Sequence, residues 1–219
     1  MSVERLPEAT ARRLPVYYRH LRTLLALGRQ RVSSAEVGDS LRIDSATIRR
    51  DFSYLGELGK KGYGYSVPFL VRILQGVLGQ DESVRVVLIG VGNLGTALCR
   101  YSFYRHERMN IVAAFDVDPA KIGAHVDAVP VYGMDQLAGY VAREGVEIAI
   151  LTVPAMHAQE SADAVVQAGV KGILNFAPRM LNVPSAVRVH QIDMTTELQV
   201  LVYHLRANAK AGDEERAEP

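Results

Sequence analysis

The sequence predicts an α/β fold in two parts, and three observations carry that prediction. From Val84 onward, short apolar runs alternate with helix-like segments. The first run, Val84–Ile89, ends in Gly90-Val-Gly92-Asn-Leu-Gly95, the pattern of a buried strand turning directly into a helix. Before residue 80 the periodicity is helical up to a glycine-rich basic stretch at residues 59–65. Strand alternating with helix implies a parallel sheet covered on both faces, whereas three helices and a hairpin make a smaller, separate architecture.

A chain of 219 residues with 48% hydrophobic and 22% charged residues is ordinary for a globular protein with a proper core. The single cysteine, Cys99, excludes an internal disulfide and a cysteine-rich zinc site, so a cytoplasmic location is expected and Cys99 reads as a packing residue. No apolar run is long enough for a membrane span, and no signal-peptide pattern opens the chain. The net charge of +1 hides an asymmetry: residues 1–79 hold 13 Lys+Arg against 7 Asp+Glu, a net of +6, and residues 80–219 hold 12 against 17, a net of −5. A basic first part suits a polyanion such as DNA.

Residues 7–28 carry Leu14, Tyr17, Tyr18, Leu21, Leu24, Leu25 and Leu27 at helical spacing, with Arg12, Arg13, Arg19 and Arg22 assigned to the opposite face. Ser33-Ser-Ala-Glu36 fits a capping box opening a helix to about Leu41. Asp44 is the expected N-cap of a third helix, with Ile48, Phe52 and Leu55 inward. This is a helix-turn-helix layout, whose second motif helix enters the major groove. Ser45, Thr47, Arg49, Arg50, Ser53 and Tyr54 are its candidate DNA contacts. Gly59-Lys-Lys-Gly-Tyr-Gly-Tyr65 reads as a hairpin wing that offers Lys60, Lys61 and Tyr63 to the duplex, which makes residues 1–79 a winged-helix domain. A helix over Val67–Leu78 and a linker at Gly79–Ser83 close that part.

The second part is expected to hold strands at Val84–Ile89, Ile111–Phe115, Val129–Tyr132, Glu147–Val153, Gly172–Phe176 and Val187–Ile192. Helices are expected over about Asn93–Arg105, Asp135–Glu144 and His157–Ala168. This is a Rossmann-type domain, residues 80–193, followed by a closing helix (Thr195–Ala207, within a dimerisation segment 194–209) and a disordered tail, 210–219.

Gly90 allows the tight turn, Gly92 lets backbone approach a pyrophosphate, and Gly95 lets the helix pack on the sheet; Val91, Asn93 and Leu94 complete the motif. Asp116, 21 positions after Gly95 at the end of the second strand, is placed to accept both ribose hydroxyls of an adenosine and to repel a 2′-phosphate, so NAD(H) is favoured over NADP(H). Val117 and Lys121 are assigned to the same site. Thr152-Val153-Pro154 and Asn175-Phe176-Ala177 stand at carboxyl ends of strands and are expected to line the nicotinamide side. The six histidines, His20, His106, His125, His157, His190 and His204, show no metal-ligand spacing, and no catalytic constellation follows the cofactor motif. An NAD-dependent oxidoreductase and a CoA-binding module share the glycine turn and stand as alternatives.

Asp44-Ser-Ala-Thr-Ile-Arg-Arg-Asp-Phe-Ser-Tyr-Leu-Gly56, Gly62-Tyr-Gly-Tyr65, Gly90-Val-Gly-Asn-Leu-Gly95, Phe115-Asp-Val-Asp118, Leu151-Thr-Val-Pro154 and Gly172-Ile-Leu-Asn-Phe-Ala-Pro178 together closely resemble the Rex redox-sensing transcriptional repressors over nearly the whole chain. The resemblance implies a homodimer on double-stranded operator DNA, with NAD(H) in each Rossmann domain and the closing helix exchanged between subunits. It also implies that a raised NADH/NAD⁺ ratio releases the DNA. By position, Tyr101 matches the family's tyrosine near the nicotinamide, and Arg19 and Asp193 match a pair that bridges subunits. Met194 stands where a phenylalanine near the partner's nicotinamide is usual. Ser45 and Thr47 stand where proline and glutamine are usual.

Overall fold

The computed structural model describes residues 6–56, 58–60, 63–79, 83–101 and 108–217, without the side chains of Lys60 and 207–217. Lys61, His106, the end of the helix expected to Arg105 and most of the linker lie outside the described residues. The chain divides into two compact units, Met1–Glu82 and Ser83–Pro219, against an expected boundary near residue 80.

In the first unit, α1 (Glu8–Ala26) buries Leu14, Tyr17, Tyr18 and Leu21 along one face. The capping box forms as read: Ser33 Oγ accepts the Glu36 N–H at 3.1 Å, and Glu36 Oε2 accepts the Ser33 N–H at 2.7 Å, opening α2 (Ser34–Leu41). The turn to α3 (Ser45–Ser53) is tight. Arg42 takes the left-handed conformation at φ 54°, and a side chain at Gly38 would meet the Ile43 carbonyl oxygen at 2.6 Å. Asp44 Oδ1 then caps α3 through the N–H groups of Ala46 and Thr47. A short strand that the sequence pattern did not suggest, β1 (Arg31–Val32), joins β2 (Gly59–Lys60) and β3 (Gly64–Ser66) in an antiparallel sheet of order β1-β3-β2. The core carries edge-on ring contacts from Tyr17 to Phe52 (5.3 Å) and from Phe52 to Tyr65 (5.1 Å), tying α1, α3 and the wing together. The helix α4 (Val67–Val77) packs on α1 through Val67, Leu70, Val71 and Leu74.

The second unit is built on a seven-stranded sheet. Its strands are β4 (Val84–Ile89), β5 (Met109–Asp116), β6 (His125–Val126), β7 (Val129–Gly133), β8 (Ile148–Leu151), β9 (Gly172–Asn175) and β10 (Arg188–Gln191). Their order is β10-β9-β8-β4-β5-β7-β6, parallel except for the short edge strand β6. Leaving out β6, this is the doubly wound order, with its switch point between β4 and β8, where such sheets bind ligands. Successive residues of β4 face opposite layers. Val87 and Ile89 enter a core shared with α6 (Leu137–Glu144) and α7 (Ala158–Gln167), and Val86 and Leu88 enter one that includes Leu98 of α5 (Asn93–Arg100).

The last helix, α8, runs Met194–Ala217, past the expected end at Ala207. Residues 210–217, expected to be disordered, are helical, which suits a segment rich in alanine, glutamate, lysine and arginine. Leu198, Leu201, Tyr203 and Leu205 of α8 are all more than half exposed.

Candidate functional site

The glycine turn shows why each of its glycines is there. Gly90 sits at φ +96°, and a side chain on it would meet Val153 Cγ1 at 2.8 Å. At Gly95 a side chain would run into the Gly90 carbonyl oxygen and the Thr152 hydroxyl. Gly92 differs, because a Cβ there meets no protein atom within 4 Å. It is the N-cap of α5, so no side chain caps the N–H groups of the first turn. The open space over Gly92 suits an anion seated on the helix N-terminus.

Asp116 closes one end of this space. Its Oδ2 accepts the Val91 N–H at 2.7 Å and the Lys121 ammonium at 3.2 Å, and its Oδ1 accepts the Asp118 N–H at 2.9 Å. Burial pushes its pKa up, but hydrogen bonds from the Asp118 and Val91 backbone and from Lys121 outweigh it, and the net is a carboxyl held below its usual range. Lys121 also lies 3.6 Å from Asp118 Oδ2. Thr152 ties β8 to the turn, its hydroxyl donating to the Gly90 carbonyl at 2.7 Å.

A cleft of about 540 Å³ brings together Gly90, Gly92, Asp116, Val117, Lys121 and the turn Thr152–Pro154. It also admits residues that motif reading missed: Met134, and from the start of α7 and the turn before it His157, Glu160 and Ser161. No local pattern marks those positions. The two turns expected to line one side together are separated. Thr152–Pro154 shares the cleft with Asp116, whereas Asn175, Phe176 and Ala177 do not line it. Asn175 is fully buried, its amide donating to the Arg179 carbonyl and Gln191 Oε1 while its oxygen accepts the Ala177 N–H. Val91 is buried in the sheet layer, and Leu94 is exposed on the first turn of α5 beside Asn93. Tyr101, at the end of α5, and Met194 are largely exposed. Asp193 caps α8 by accepting the Thr195 and Thr196 N–H groups and the Thr196 hydroxyl, and the Thr196 bonds hold its carboxyl below the usual range.

In the first unit, Arg49, Arg50 and Ser53 lie on the exposed face of α3 and Tyr54 is exposed at its C-terminal end, with Ser45 and Thr47 half-buried. Arg49 donates to Ser45 Oγ at 3.1 Å, and Tyr63 at the wing is held by Arg31, which donates to its carbonyl at 2.9 Å. Arg19 is exposed on α1. Arg13, assigned to the solvent face with the other arginines, instead turns inward: its Nε and Nη2 donate to Asp51 of α3 at 2.6 and 2.8 Å. Thr10 and Tyr17 donate to the same carboxylate at 2.8 and 2.7 Å. Asp51 stands inside the motif Asp44–Gly56 with no role assigned to it by the sequence, yet it lies three residues after Ile48, on the buried face of α3.

Cys99 is half-buried, and burial, with Asp127 nearby, pushes its thiol up to about 11. Among the described residues no group of His, Cys, Asp and Glu is arranged to hold a metal ion, and no helix is long and apolar enough to cross a membrane.

Comparison with known proteins agrees with this two-part geometry. Residues 5–53 match a family model described as "Putative DNA-binding protein N-terminus", and residues 81–179 match one described as "CoA binding domain". The chain is 54% identical over 201 residues to the redox-sensing transcriptional repressor Rex of Listeria welshimeri serovar 6b, covering 92% of this chain and 94% of that one. Among solved structures it is similar to RSP, a Rex-family repressor, in complex with β-NAD⁺ and operator DNA (TM-score 0.88, 32% identity, 99% and 100% of the two chains). It is also similar to RSP in complex with β-NADH (TM-score 0.86, 31% identity, 96% and 99%). With that identity over nearly its full length, this chain belongs to the Rex family of redox-sensing transcriptional repressors.

Proposed function

We propose that this chain represses transcription as a cytoplasmic homodimer that holds operator DNA through its winged-helix units and lets go when NADH occupies the cleft. The observation that carries the reading is the full-length match to RSP, solved both with β-NAD⁺ and operator DNA and with β-NADH. The cleft fits such a ligand: open space over Gly92 at an uncapped helix start for the pyrophosphate, and Asp116 for the adenosine ribose. Tyr101, Asn175–Ala177, Asp193 and Met194 are the candidates for the nicotinamide end. The bound ligand supplies a ring that is cationic when oxidised and neutral when reduced. The protein reads it as a difference in affinity between two dimer shapes, since a ligand that suits both shapes equally switches nothing. Moving the winged helices of the two subunits would then break half-site spacing on the duplex.

On the DNA, Arg49, Arg50 and Ser53 of α3 and Tyr54 at its end would face the major groove, with Ser45 and Thr47 at the helix start and Lys60, Lys61 and Tyr63 on the wing. The exposed apolar side chains of α8 support its use as the dimer interface, exchanged between subunits. Arg19 and Asp193 would pair across that dimer in the DNA-bound shape, Asp193 giving up its cap to do so. The ligand is a signal here and no substrate is turned over, a reading supported by the family's name as repressors.

The test is fluorescence anisotropy of an operator duplex at fixed salt, because phosphate contacts make affinity strongly salt-dependent. NADH is expected to release the duplex at lower concentration than NAD⁺; equal release by both sinks the sensing mechanism. A second reading, CoA binding, is favoured by the match of residues 81–179 to the CoA-binding family. Asp116 opposes it, since the adenosine ribose of CoA carries a phosphate where this carboxylate calls for a hydroxyl. Calorimetry with CoA and NADH in parallel separates the two.

A further inference from the structure

Each carboxylate oxygen has two lone pairs, so Asp116 accepts four donors when saturated. Oδ2 already receives two, the Val91 N–H and the Lys121 ammonium. Oδ1 receives one, the Asp118 N–H. The open lone pair is on Oδ1, whereas the two hydroxyls of an unmodified adenosine ribose call for one on each oxygen. Seating both hydroxyls on Asp116 therefore requires Lys121 to leave Oδ2. The lysine has a second partner within reach, Asp118 Oδ2 at 3.6 Å, and its side chain is 38% exposed.

The charge of the cleft adds a second, independent observation. Its lining holds three carboxylates, Asp116, Asp118 and Glu160, with His157 and a single Lys or Arg side chain, Lys121. A 2′-phosphate brings roughly two negative charges to this wall at neutral pH. Lys121 is the one permanently cationic side chain among the lining residues that can offset them.

We propose that Lys121 sets the dinucleotide specificity of the cleft, competing with the ribose hydroxyls of NAD(H) for Asp116 and making a 2′-phosphate tolerable. The preference for NAD(H) is then smaller than Asp116 alone would impose. This inference rests on the cleft being a dinucleotide site.

The experiment measures NADH and NADPH binding to the full-length chain by nicotinamide fluorescence at fixed salt, for wild type, Lys121→Met and Lys121→Arg. Lys121→Met keeps the long stem of a partly exposed side chain and removes its charge. It is expected to bind NADH a few-fold tighter than wild type, and NADPH about tenfold more weakly. The NADPH/NADH ratio of Kd values therefore rises by more than about tenfold, by an amount that shrinks as salt is raised. Lys121→Arg is expected to keep the wild-type ratio. If Lys121→Met binds both ligands with an unchanged ratio, or loses NADH as much as NADPH, the role of Lys121 is overturned while the dinucleotide site stands. If wild type binds neither ligand, the dinucleotide reading itself falls and this inference falls with it.

Discussion

Asp51 in the first unit and Asp116 in the second are both buried carboxylates held below their usual pKa, and they differ in what is left over. Asp51 has all four lone pairs answered: Oδ1 by Thr10 and Arg13 Nη2, Oδ2 by Tyr17 and Arg13 Nε. Nothing remains to meet a ligand, and the four bonds lock α3 to α1. Asp116 has three donors, which leaves one lone pair of Oδ1 unanswered in a residue that lines the cleft. A saturated buried carboxylate is scaffold, and one left a donor short is a site.

Removing the saturated member should have the largest effect. Asp51→Ala leaves Arg13, Tyr17 and Thr10 without their shared acceptor, and a loss of about 3–5 kcal/mol is expected in chemical unfolding followed on the first unit. A loss below about 1 kcal/mol would mean that the network is ornamental and the comparison wrong. Asp116→Asn should act the other way round: NADH affinity drops by about 1.5–3 kcal/mol as a charged acceptor is lost, while stability changes by about 1 kcal/mol. Equal effects on stability from the two variants would erase the distinction. The glycines of the second unit repeat it one step down. Gly95→Ala is expected to destabilise by about 1–3 kcal/mol because protein atoms already fill the space, and Gly92→Ala by under about 0.5 kcal/mol while weakening NADH binding. Thermal melts with and without NADH check both. Smallest near neutrality is the pH effect. Both carboxyls have lowered folded pKa values, so their contribution is fully present above the ordinary carboxylate pKa of about 3.9 and is lost as pH falls through the folded value. Acid unfolding of the first unit should lose this dependence in Asp51→Asn.

How much of this was legible in the sequence follows from distance along the chain. The capping box Ser33–Glu36, the Asp44 cap and the glycine turn are made by residues within a few positions of one another, and all three form as read. Asp116 was legible because the doubly wound order carries a strand-end acid back to the turn, as its bond to Val91 records. The Arg13–Asp51 pair spans 38 residues, and each partner by itself looks like a solvated charge. The clue was register: Arg13 precedes Tyr17 by four and Asp51 follows Ile48 by three, placing both on buried faces. The strands β1 and β6 have two residues each, too few to display a period. Lys121 was placed at the site, but its competition for Asp116 is a matter of lone pairs and has no sequence signature.

The half-buried Cys99 bears on time rather than affinity. A thiol pushed up to about 11 leaves only about one molecule in ten thousand as the reactive thiolate at pH 7. A sensor that records oxidation in its own sulfur keeps a memory until another reaction repairs it. With a thiol this reluctant at Cys99, a sensor of the proposed kind, reading a reversibly bound dinucleotide, forgets at the rate at which that ligand departs. Under the proposed function it follows the current state of the dinucleotide pool, with no memory written at Cys99.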